Sequence, residues 1–157
     1  MKSVGALKHF LLAFLIAVIC YGVLYQVIET RRARKGPWEV KFTYNPKGAP
    51  TVVIDQHNLA ITNVAIIFSD EPAPTTNALT TLVFEQPQPV PYGVPFGKCV
   101  FMDTTFLPGT VTFDLFGHEI ELLPRVLMID HQERQWLSDR AITLYPIRQA
   151  PVTTNGH

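Results

Sequence analysis

The chain has 157 residues, 47% of them hydrophobic and 17% charged, and its 13 Lys/Arg balance 13 Asp/Glu. That balance hides a division: up to Lys35 there are six basic residues and one acid, and from Gly36 onward seven basic residues and twelve acids. An acidic C-terminal part without a basic run excludes nucleic-acid binding, which draws its affinity mainly from Lys and Arg, and the two cysteines, Cys20 and Cys99, fall in different parts, so no intramolecular disulfide is expected.

From His9 to Ile28 there is no Asp, Glu, Lys or Arg. A helix of about twenty residues is about 30 Å long, the thickness of the hydrocarbon core of a bilayer. The sequence therefore predicts a transmembrane helix over 9–28, with a short basic tail before it (1–8) and a basic juxtamembrane neck after it (29–36). Three other readings fit worse. A cleaved secretory signal has an apolar core of about 7–15 residues followed by small residues, whereas here "YQVIETRRA" follows and puts Arg31 where a small residue is needed. A lipid-modified cysteine normally follows a small residue, and Cys20 follows Ile19. A pilin-type helix carries a Glu near its start and runs far beyond the membrane; here the first acid is Glu29, and Gly36-Pro37 stops the helix.

The neck residues Arg31, Arg32, Arg34 and Lys35 suit anionic lipid headgroups, although an ordinary stop-transfer flank has the same composition. Counted against Lys2 and Lys8, they lean toward a cytoplasmic C-terminal domain. The layout of a short basic tail, an apolar core and a β-rich head points the other way, to a signal anchor. We follow the layout and expect a single-pass cell-membrane protein with its domain outside the cytoplasm, on the periplasmic side.

After Pro37 the pattern changes to alternation. In "WEVKFTY", Trp38, Val40, Phe42 and Tyr44 fall on one face and Glu39, Lys41 and Thr43 on the other, the period of a half-buried strand. Turn formers at 45–50 lead to a returning strand at 51–55, and the β-branched run at 59–68 predicts a third. A loop at 69–77 precedes a strand at 78–85. "QPQPVPYGVPFG" at 86–97 is too rich in proline for a central strand and should lie extended. It reads as a stiff crossover between sheets or, on its other reading, as a docking segment for a protein partner through Pro87, Pro89, Pro91 and Tyr92. Strand-like runs follow at 98–106, 110–117, 118–124, 125–130 and 140–147. The polar stretch 130–139 suggests a turn or short helix, and the tail 148–157 suggests fraying. The expected fold is all-β: an antiparallel β-sandwich, Ig-like or jelly-roll-like, over 37–147, preceded by the membrane helix.

Titratable side chains are densest in "GHEIELLPRVLMIDHQE". With a turn near Leu123-Pro124, His118 or Glu119 would approach Asp130 or His131 across the hairpin, a carboxylate and imidazole set that would suit a metal such as Zn²⁺. Alternation works against it, because His118 shares a face with Ile120 and Leu122 while Glu119 and Glu121 share the other. "HEIEL" also lacks the second His of a helical metalloprotease motif. Ser69 and Ser138 lie outside any glycine elbow, Cys99 sits within a strand as a small buried side chain, and the glycines are scattered singly. No cofactor and no enzymatic activity are expected. Trp38 heads an aromatic face and should cap the core, whereas Trp136, in a polar segment, is a candidate for partner contact. The sequence thus predicts an accessory, assembly or interaction subunit of a membrane complex, with a tethered ligand- or metal-binding module at 118–133 as the alternative.

Overall fold

The computed structural model describes residues 3–72 and 79–147, and the chain divides between Arg34 and Lys35 into two compact units. The first is a single helix, α1 (Ser3–Ala33). It is longer than the span predicted at 9–28, taking in most of the expected basic tail and neck, because no residue there breaks a helix before Gly36. Gly36 adopts φ +69°, the left-handed conformation that glycine accepts most readily. Every residue from Leu7 to Arg31 is exposed within the chain, and the apolar side chains point in all directions. Leu7–Ala33 is long and apolar enough to cross a membrane. Arg31 and Arg32 occupy the last turn, where positive charge complements the helix dipole, and Arg32 lies 3.9 Å from Glu29.

Among its described residues the second unit contains eleven strands: β1 (Trp38–Tyr44), β2 (Pro50–Gln56), β3 (Ile61–Phe68), β4 (Thr80–Phe84), β5 (Tyr92–Val94), β6 (Gly97–Asp103), β7 (Thr110–Leu115), β8 (His118–Leu123), β9 (Val126–Ile129), β10 (Gln132–Arg134) and β11 (Ala141–Leu144). They form a five-stranded sheet in the order β11-β3-β2-β1-β4 and a six-stranded sheet in the order β10-β9-β8-β7-β6-β5. The second sheet is a run of neighbours in sequence, so each pairing follows from a short turn. Trp38, Val40 and Phe42 of β1 and Phe113, Ile120 and Leu122 of the second sheet belong to one buried cluster. Phe113 meets Phe42 and Phe84 edge to face, at centroid distances of 6.2 and 5.5 Å. Such contacts contribute about 0.5–1.5 kcal/mol each beyond the area they bury.

Four departures from the sequence reading have local causes. The third strand starts at Ile61 because His57–Leu59 forms a 3-10 turn that ends on Ala60 in the left-handed region. The proline segment yields a three-residue strand, β5, at the sheet edge where a missing N–H is tolerated. The polar stretch 130–139 holds no helix; it contains a turn and the edge strand β10. Last, the pairing is not uniformly antiparallel, since β11 runs parallel to β3, with Ala141 opposite Ala65 and Leu144 opposite Phe68. Parallel neighbours require a long crossover, and here the whole second sheet serves as one. Part of the predicted 69–77 loop and the tail 148–157 lie outside the described residues.

Candidate functional site

Strand alternation divides the β8–β9 hairpin chemically. His118, Ile120 and Leu122 are buried, and Glu119 and Glu121 lie on the opposite, half-exposed face. Leu123 pairs with Val126 and Ile120 with Ile129, so the register carries Asp130 back to the start of β8. Asp130 and His131 form the two-residue turn into β10, with φ of 50° and 61°. Positive φ at both positions matches a type I′ hairpin turn.

On the inner side, His118 is 4% exposed. Its Nδ1 lies 2.7 Å from Asp130 Oδ2 and its Nε2 3.1 Å from the Tyr145 carbonyl oxygen. A carbonyl only accepts, so Nε2–H donates to Tyr145, and Nδ1 faces the carboxylate. The Glu119 N–H donates to Asp130 Oδ1 at 3.0 Å, and the Asp130 N–H donates to the Glu119 carbonyl at 2.9 Å. Both ring nitrogens of His118 are engaged, and the pair fastens β8, the β9–β10 turn and the segment after β11 to one another.

On the outer side, one ligand atom from each of Glu119, Glu121 and His131 lies within 4.8 Å of the other two. His131 Nδ1 is 3.4 Å from Glu119 Oε1. Desolvation, followed by the hydrogen bond and negative charge of Glu119, pushes the Glu121 carboxyl above the ordinary glutamate range, with His131 acting against them. The structure therefore separates the four residues that the sequence singled out for metal binding. It leaves Glu119 and His131 together and joins to them Glu121, whose position on the face of Glu119 was already visible in the alternation.

The other sequence candidates have distinct surroundings. Arg31, Arg34 and Lys35 are exposed and Arg32 is half-buried. Residues 35–37 are clasped by the start of the domain: Gln56 Nε2 lies 2.6, 2.9 and 3.2 Å from the carbonyl oxygens of Lys35, Gly36 and Pro37, and Asn58 Nδ2 donates to Lys35 O at 2.8 Å. Nothing in the composition of "TVVIDQ" marks Gln56 for this role. Pro87, Pro89 and Pro91 are exposed, and Tyr92 is half-buried opposite Cys99. Burial raises the Tyr92 hydroxyl well above its ordinary range, and Cys99 adds to the effect; burial also raises the Cys99 thiol. Trp38 is fully buried, with its indole N–H donating to Gly109 O at 3.2 Å. Trp136 packs on Trp38 at a centroid distance of 5.2 Å and donates to Leu123 O at 2.8 Å, so most of its surface completes the core. No protein-family model, curated protein or solved structure matches this chain.

Proposed function

We propose that the chain is a single-pass membrane protein whose β-domain, a sandwich held outside the cytoplasm, is an accessory, assembly or interaction subunit of a membrane complex without catalysis of its own. The observation that carries the reading is α1: its apolar side chains face outward all the way round, so the helix needs an apolar surrounding that its own chain does not supply. The exposed proline segment beside the edge strand β5 supports a docking role for the domain. Crosslinking in intact membranes, mild detergent extraction and mass spectrometry of what co-purifies with a C-terminally tagged chain tests it. A reproducible stoichiometric protein partner is expected, and a lone monomer with no crosslinked neighbour would overturn the reading.

The cluster of Glu119, Glu121 and His131 favours a second reading, a tethered metal-binding module. Two carboxylates and an imidazole suit Zn²⁺ or a similar ion. Under it, titration of the full chain with Zn²⁺ in mild detergent gives saturable binding that His131→Ala and Glu121→Gln each weaken at least tenfold. Heat unchanged by either substitution would remove this reading.

A further inference from the structure

Among the described residues, the two sheets leave two strand edges open on the same side. β10 ends the six-stranded sheet and β11 ends the five-stranded one. Between them lies a cleft of about 450 Å³ lined by Glu133 and Arg134 of β10, by Ala141, Ile142 and Thr143 of β11, and by Gln135, Leu137 and Arg140 of the connecting arch. The arch is held in place from three sides. Trp136 is bound to Leu123, the Ser138 hydroxyl donates to Ala60 O at 2.9 Å and accepts from the Thr62 N–H at 3.1 Å, and the Asp139 N–H donates to Thr62 O at 2.9 Å. The cleft is therefore preformed.

Its walls carry unused recognition groups. The carbonyls of Arg140 and Leu144 accept from the N–H groups of Ala65 and Ser69. Backbone direction alternates along a strand, so Ala141 and Thr143 present N–H and C=O groups toward the free edge of β11. Arg134 and Arg140 are exposed, and neither has a carboxylate within ion-pair distance among the described residues. With Glu133 included, the lining is net positive, in a part of the chain that has twelve acids and seven bases. A free strand edge recognises an extended chain, and unpaired guanidinium groups recognise carboxylates, often through paired hydrogen bonds.

From this geometry we infer that the cleft docks an extended, carboxylate-bearing segment of another protein, which adds as a strand along β11 and sets its acids against Arg134 and Arg140. The inference rests on the interaction-subunit reading and names the surface and the partner chemistry. A photo-crosslinking residue is placed at Thr143 of the full-length chain in intact membranes, and adduct peptides are identified by mass spectrometry beside the co-purification described above. The expected result is an adduct to an Asp- or Glu-rich segment of a second protein, reduced at least tenfold by Arg134→Glu with Arg140→Glu, while the thermal melt of the variant matches that of the parent. An adduct to residues 148–157, to a second copy of this chain, or of unchanged yield after charge reversal overturns the inference. A co-purifying partner without an adduct at position 143 overturns the cleft alone, whereas the absence of both removes the interaction reading with it.

Discussion

Gln56 lies at the end of β2 with 2% of its surface exposed, and both ends of its amide are occupied. The Nε2 group faces three carbonyls of residues 35–37, and Oε1 accepts from the Leu59 N–H at 3.0 Å. One side chain thus fixes the start of the domain and the turn into β3. Leucine fills a similar volume and can make none of these bonds. Gln56→Leu should therefore lower the stability of the β-domain by about 1–3 kcal/mol, the cost of stranding buried backbone groups, read as a lower melting temperature of the full chain in mild detergent. Cys99 presents the opposite case, a group shielded from chemistry. It is fully buried, its thiol is raised by burial, and its Sγ lies 3.5 Å from the Phe101 carbonyl. Thiolate is the reactive form, so in a Cys20→Ala background Cys99 should resist maleimide at neutral pH and label fully after denaturation.

Among the elements, the β8–β9–β10 meander and β6 carry pH dependences of opposite sign. Glu121 has a folded-state value above that of the unfolded chain, so the folded protein holds its proton more tightly. Stability from this group is present at low pH and declines as pH rises from the ordinary glutamate value through the folded one. Glu121→Gln keeps the neutral form at every pH and should raise the melting temperature relative to the parent at pH 7 but not at pH 4, modestly, because the half-exposed carboxylate is screened by solvent. Asp103 acts in the other direction. The Thr105 N–H, 3.0 Å from its Oδ1, holds the carboxyl below the ordinary range, so its contribution is lost as pH falls through that lowered value.

The β8–β9 hairpin of this meander was also the most legible part of the chain. Alternation in "HEIELL" assigned each side chain to a face, and a turn after Leu123 placed Asp130 beside His118 and Glu119. The short edge strands β5 and β10 were less legible, because three residues are too few for a period to declare itself and their pairing depends on neighbours brought by the rest of the sheet. The clasp by Gln56 and the cleft beside β11 were not legible at all. The clasp joins residues about twenty positions apart, and the cleft, though lined by the one stretch 133–143, exists only because its two ends join different sheets; a glutamine or an arginine carries no mark of the surroundings that folding brings to it.

For the molecule as a whole, the defining contrast is between a helix whose apolar residues from Leu7 to Ile28 are exposed and a domain with its own core. On the membrane reading, the chain should stay in the membrane fraction after an alkaline carbonate wash, and a chain lacking residues 1–34 should appear in the supernatant. Replacing Arg31, Arg32, Arg34 and Lys35 by Ser should weaken contact with anionic lipid by about 1 kcal/mol per charge near the surface, measured as lower retention on vesicles containing phosphatidylserine than on neutral ones.

The parallel seat of β11 also has a consequence for synthesis. During synthesis β1 to β3 follow α1, but the strand that covers the outer edge of β3 comes after the whole second sheet. Until then the nascent chain carries the apolar run "ITNVAIIF" with one backbone edge uncovered. Such an edge invites pairing with other chains. A product truncated after β10 should therefore aggregate more readily than the full chain, read as a larger pelleted fraction when the two are expressed side by side.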